Sequence, residues 1–202
     1  MSEPSASHPV STIHLTDPRA LRAYAHPTRM RLVGLLRSQG PLTATQAAEL
    51  TGESVASCSY HLRMLAKYGL VETAEGGQGR EKPWQATARF TSWPNSSGDA
   101  AIAEASDALS HAVVERYFEL MTRRLEARRG DTREWREAEQ ISDIPLYLTA
   151  AELAELGERM NELLRPYADR LADPGRRPDG ARLVTLIRAA IPSSPDPAER
   201  SR

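Results

Sequence analysis

The sequence predicts a mainly α chain with small β elements (α+β). It reads as a helix, turn and helix unit closed by a β-hairpin, then a long helix and a small strand, helix, strand unit. Three observations carry this. Short helical patterns between residues 17 and 69 are each bounded by residues that start or stop helices. A glycine-rich pentapeptide, GGQGR, separates two β-prone runs. From residue 99, DAAIAEASDALSHAVVERYFELMTRRLEARRG keeps one apolar stripe for longer than a small domain needs to cover its core.

Residues 1–12 and 193–202 are rich in Pro and Ser and are expected to be disordered tails, with ordered structure starting near Thr16. The remainder divides into 13–95 and 96–192. Asp17 before Pro18 is an N-cap with proline at the first helical position, opening a helix through PRALRAYA. His26 and Pro27 end it, and Pro27 starts the next, PTRMRLVGLLRSQ. Met30, Leu32, Val33, Leu35 and Leu36 make that helix's apolar stripe, and Gly40 lies beyond its end. Thr43 with Gln46 is a T-x-x-Q capping box before ATQAAELT, and Gly52 supplies a tight turn.

The stretch SVASCSYHLRMLAKYGLVE then follows its capping Ser54 with short hydroxyls, a tyrosine, a histidine and an arginine, and stops at Gly69. At about 100° per residue, Val55, Cys58, Leu62 and Leu65 fall on one side and are expected to pack inward. Ala56, Ser57, Tyr60, Arg63, Met64 and Lys67 fall opposite. That outer face has little bulk at its N-terminal end and positive charge at its C-terminal end. A helix entering the major groove needs both: small groups that read base edges and cations for phosphates. Leu70 and Val71 begin a strand, and EKPWQATA returns as a second, with Pro83 tolerable only at an edge or bulge. A hairpin at this point is a wing, with Arg80 and Lys82 at or beside its tip.

HPTRMRLVGLL, TATQAAELTG, ASCSYHLRMLAKYGLVE and GGQGREKPWQAT together resemble the arsenic-repressor-type (ArsR) winged helix-turn-helix family of bacterial transcriptional regulators, over roughly residues 17 to 93. The resemblance implies a homodimeric repressor on a palindromic operator. It makes Ala56, Ser57, Ser59, Tyr60 and Arg63 the base and phosphate contacts, and His61 falls in the family's S-x-H-L slot, where part of its role is structural. With Thr43, Thr45, Ser54, Lys67, Gln78, Arg80 and Lys82 these form the expected DNA-contact set. The family's metal-sensing members often carry a Cys-x-Cys pair where this chain has ATQAAEL.

Charge agrees with a nucleic-acid partner in the front half. The formal net charge is -1, but residues 17 to 93 hold ten Lys and Arg against six Asp and Glu, which is 10 - 6 = +4 and leaves -5 elsewhere. The single cysteine, Cys58, excludes an intramolecular disulfide, and its inward position suits a small inert hydrophobe better than a redox sensor. Asp107, His111 and Glu115 lie on one helical face. One imidazole is thin support for a metal, so a solvated stripe is preferred, and no metal or other cofactor is expected. Ser57 and Ser59 near His61 lack the elbow and orienting group of a nucleophile, and GGQGR lacks the phosphate-loop pattern, so no enzymatic activity is expected.

No apolar run approaches the ~20 residues of a membrane span, and MSEPSASHPV lacks signal-peptide order, so the expected location is the cytoplasm. In the long helix the stripe of Ile102, Ala105, Leu109, Val113, Tyr117 and Leu120 is expected to meet a second copy, with Ile102, Leu109, Val113, Tyr117 and Leu120 as the dimer interface. Beyond it, IPLYL and ARLVTLIRAAI are expected as strands around the helix AAELAELGERMNELLRPYADRL, a βαβ unit with two open roles, housing an unidentified small-molecule effector or only enlarging the dimer interface. The competing readings are a winged-helix protein interaction module, and a metal- or redox-responsive repressor using His111 or Cys58.

Overall fold

The computed structural model describes residues 11–75 and 82–192. In chain order these form β1 (Thr12–His14), α1 (Pro18–Tyr24), α2 (Pro27–Gln39), α3 (Ala44–Thr51), α4 (Val55–Lys67), β2 (Val71–Thr73), β3 (Trp84–Ala86), β4 (Phe90–Ser92), α5 (Ala100–Ala127), α6 (Arg133–Ala138) and α7 (Ala150–Ala172), with short 3-10 turns after α5 and α7. The chain is mainly helical, with a helix-turn-helix unit, small sheets and a long helix after them. No described helix is long and apolar enough to cross a membrane.

The capping signals act as their chemistry requires. The Asp17 carboxylate accepts from Arg19 N–H, and Pro18 opens α1. Thr43 accepts from Gln46 N–H while the Gln46 side chain accepts from Thr43 N–H, satisfying two orphan donors reciprocally. Gly52 takes the left-handed conformation, φ 74°, at the C-terminus of α3 and donates to the Ala48 carbonyl at 2.9 Å. Ser54 then caps α4, its hydroxyl accepting from Ser57 N–H at 3.1 Å.

One core holds α1 to α5 together. Leu21 of α1, Met30, Leu32 and Val33 of α2, Leu62 and Leu65 of α4, and Leu109 of α5 are fully buried in a single cluster. The turn between α3 and α4 is pinned from both sides. Thr51 Oγ1 donates to the Ala47 carbonyl and lies 3.5 Å from Cys58 Sγ, while Thr28 Oγ1 of α2 donates to Glu53 at 3.2 Å.

The wing pairs β2 with β3 antiparallel, Val71 opposite Ala86 and Thr73 opposite Trp84. Leu42 adds a third short rung by exchanging main-chain bonds with Trp84 at 2.8 and 2.9 Å. Pro83 sits at the end of the ladder, where its carbonyl accepts from Ala74 N–H and its missing donor costs nothing. Residues 76–81, expected from the sequence to form the wing tip, lie outside the described residues.

Four expectations are corrected. The N-terminal tail does not reach residue 12: β1 pairs parallel with β4, Ile13 opposite Thr91, and neither strand was foreseen. Three-residue strands show no legible periodicity, and their pairing is non-local. Val55 does not pack inward. It stands at the first turn of α4, before the helix meets the core, and is 45% exposed.

The expected C-terminal strand, helix, strand unit keeps only its helix. Residues 144–148 and 181–191 form no strand and join no ladder, because a β-prone run becomes a strand only where another main chain lies alongside it. Finally, part of the expected dimer stripe faces inward. Leu109 is fully buried, and Ile102 and Val113 pack against the same cluster, because α5 lies along α1 and covers the domain's own core.

Candidate nucleic-acid interface

α4 presents the surface from which this site is built. Cys58, Leu62 and Leu65 bury one side completely, which commits the opposite side to solvent. There Val55, Ala56, Tyr60, Arg63 and Lys67 are exposed, and Ser57, Ser59 and Met64 are half-buried. The polar groups are preorganised by short local bonds. Ser57 Oγ donates to Glu53 Oε2 at 3.1 Å, and the Arg63 guanidinium donates to Ser59 Oγ one turn back. Each bond fixes a rotamer and leaves further donor or acceptor capacity outward.

His61 belongs to the other side of this helix. Its ring packs 4.7 Å from that of His26, at the corner between α1 and α2, and meets Tyr60 edge-on at 5.3 Å. Both Nδ1 atoms are buried with no hydrogen-bond partner among the described residues. Burial, and then the nearby positive charge of Arg29, lower both imidazoles below their usual value, while Glu53 opposes the shift. This pair joins α4 to the body of the domain, and the partner His26 was not foreseen.

The basic surplus of the front half is smaller in effect than its count. Arg31 donates to the Thr51 and Leu50 carbonyls at 2.8 and 3.0 Å, capping the end of α3. Arg29 donates to the Ala23 carbonyl, and Arg37 to the Ala88 carbonyl and Thr91 Oγ1. These three cations hold helix ends and the β4 segment in place. Of the remainder, Arg63 and Lys67 stand on the outer face of α4, and Lys82 is exposed at the described edge of the wing.

The other expected contacts are distributed as follows. Thr43 spends its hydroxyl on the capping box and Ser54 spends its own on the α4 cap, so both support the helices that carry the face. Thr45 is exposed on the first turn of α3. Gln78 and Arg80 lie outside the described residues. Cys58 is fully buried, its thiol beside Thr51. Asp107, His111 and Glu115 are exposed, and no group of three or more His, Cys, Asp or Glu positioned for a metal occurs among the described residues.

Beyond the core contact, α5 exposes a second apolar row: Val114, Phe118, Met121 and Leu125, with Phe118 67% exposed. Their 4-3-4 spacing is that of a helix-helix seam. Tyr117 and Leu120, half-buried, flank it. The spacing was legible, but α5 is apolar on two faces, and only its docking on α1 separates the row that covers the core from the row left outside.

A family model described as a helix-turn-helix domain matches residues 24–74, the span from the end of α1 through α2, α3, α4 and β2. No match was found among curated proteins. Among solved structures, MepR of S. aureus in complex with DNA is similar at 18% identity and a TM-score of 0.31, covering 54% of this chain and 81% of that one. ZitR of Lactococcus lactis, in a form with one cysteine replaced by serine, is similar at 14% identity and a TM-score of 0.28, covering 70% and 73%. Likenesses this distant carry no function across. The chain contains a helix-turn-helix domain.

Proposed function

We propose that this chain is a homodimeric DNA-binding transcriptional regulator that acts as a repressor by occupying a palindromic operator, the mode its ArsR resemblance implies. The observation that carries the reading is the outer face of α4, where Ala56, Ser57, Tyr60, Arg63 and Lys67 stand clear of the core on a helix pinned through its inner side. Ser57 and Tyr60 supply hydrogen-bonding groups for base edges, and Val55 and Ala56 supply small apolar contacts of the kind that meet a thymine methyl. Arg63, Lys67 and Lys82, together with Arg80 of the sequence-predicted wing, supply phosphate contacts.

A single such domain reads one half-site, and tight specific binding needs a second domain held about one helical turn of DNA away. The exposed row of Val114, Phe118, Met121 and Leu125 on α5, flanked by Tyr117 and Leu120, is the seam we assign to that pairing. Ile102, Leu109 and Val113, which pack on the core of their own chain, are left out of this proposed seam.

The test is duplex binding at several salt concentrations, with sites recovered by selection from randomised DNA. The selected sites should be inverted repeats. Arg63→Ala and Lys67→Ala should each weaken binding to all sequences and reduce the salt slope by about one. Unchanged slopes in both variants, or no DNA binding by the wild type, would leave the winged-helix interaction module as the surviving reading.

A further inference from the structure

Two segments of the C-terminal half lie outside every helix and strand and join no ladder among the described residues. Residues 140–148 and 182–191 make no main-chain hydrogen bond among the described residues. Their apolar side chains are equally unengaged: Ile144, Leu146, Leu183, Val184 and Leu186 are none of them less than 61% exposed. Hydration could satisfy the main chain alone. It does not explain a continuous apolar run, which is the pattern of a strand covered on both faces. Sixteen of the twenty exposed large hydrophobics among the described residues lie beyond residue 113, so the uncovered surface is concentrated in one half of the chain.

The second segment is already held in place. Arg182 donates to Asp131 at 2.9 Å and lies over the Trp135 ring, and Arg188 donates to Asn161 at 2.7 Å. These side-chain contacts tether the segment to Asp131, to Trp135 of α6 and to Asn161 of α7, while its main chain makes no hydrogen bond among the described residues. The first segment leads into the N-terminus of α7 and forms no hydrogen bond with the second in the same chain.

We propose that residues 144–148 of one copy pair as a β-strand with residues 182–188 of a second copy, so that the dimer carries intersubunit β-ladders beside the α5 seam. The inference rests on the homodimer reading above.

Charge selects this pairing over the alternative. Self-pairing of 182–188 about Thr185 would set Arg182 directly opposite the partner's Arg188, like against like. Pairing with 144–148 about Leu146 and Thr185 sets Asp143, exposed and without an ion-pair partner among the described residues, opposite an arginine whichever way the strands run. That arginine is Arg182 if they are parallel and Arg188 if antiparallel. The surroundings agree. Residues 131–143 carry two arginines against five carboxylates, 2 - 5 = -3, and residues 177–188 carry three arginines against one, 3 - 1 = +2. Bonding through Ile144, Leu146 and Leu148 turns Pro145, which has no N–H to donate, away from the ladder.

Leu146 and Thr185 face each other in either direction, so cysteines there test the pairing without knowledge of strand polarity. Leu146→Cys and Thr185→Cys chains are co-expressed with different tags, treated with a short bismaleimide and compared with each variant alone. The native Cys58 is fully buried, and the wild type serves as the control for it. The expected product is a covalent dimer of one chain of each kind, formed only in the mixture. Linking by Thr185→Cys alone would replace the proposal with self-pairing. Linking within one chain of the Leu146→Cys, Thr185→Cys double variant would place the ladder in a single subunit. No link in a protein that sediments as a dimer would overturn the ladder and leave the homodimer standing. A wild type that sediments as a monomer would end both.

Discussion

The imidazole of His61, on α4, lies 4.7 Å from that of His26 at the α1 to α2 corner, and neither Nδ1 has a hydrogen-bond partner among the described residues. Two neutral rings can share this space. Two imidazolium ions beside Arg29 cannot do so without cost. Both groups titrate below the usual 6.5, chiefly through burial. The unfolded chain therefore binds more protons than the folded one as pH falls below that value, and stability must drop through the interval. Denaturant midpoints measured from pH 7.5 to 5 should decline, and a His26→Asn, His61→Gln variant should show a shallower decline. An equally steep curve in the double variant would assign the effect to other groups.

The same α5 should respond in opposite ways at its two apolar rows. Leu109 is sealed in the core of its own chain, so Leu109→Ala should lower folding stability by about 2–5 kcal/mol. Phe118 is 67% exposed, so Phe118→Glu should leave the helical content and denaturant midpoint of the isolated chain close to wild type. It should shift sedimentation towards the monomer and weaken operator binding, since the second half-site loses its effective concentration. A dimer that survives Phe118→Glu would put the seam elsewhere.

The capping box makes a local prediction. Thr43 and Gln46 satisfy each other's main-chain donors at the start of α3. Thr43→Ala should cost about 0.5–2 kcal/mol, and Thr43→Ser should recover most of it. Equal losses in both would mean that the methyl group, not the hydroxyl, matters.

Base preference should depend on two side chains of the outer α4 face. Ser57→Ala and Tyr60→Ala should each change the selected base at one position per half-site, by about 1–3 kcal/mol, while leaving the salt slope intact. Preference profiles identical to wild type in both would mean that another face of the domain reads the sequence.

What was legible in the sequence was local. The boundaries of α1 to α4 follow from Asp17, Pro27, Thr43, Gly52 and Ser54, because capping and left-handed turns are decided within a few residues. The inward face of α4 was legible too, since Cys58, Leu62 and Leu65 recur at helical spacing. Tertiary structure decided everything that needs a partner distant in sequence. It paired Thr12–His14 with Phe90–Ser92, brought Leu42 to Trp84 and laid His26 against His61. It diverted Arg29, Arg31 and Arg37 from the surface charge to helix ends and the β4 segment. It also chose which apolar row of α5 became core, and it left 144–148 and 182–191 outside any ladder. A helix closes its hydrogen bonds within its own segment, whereas a strand, a helix face or a charge is assigned only by what the rest of the fold sets against it.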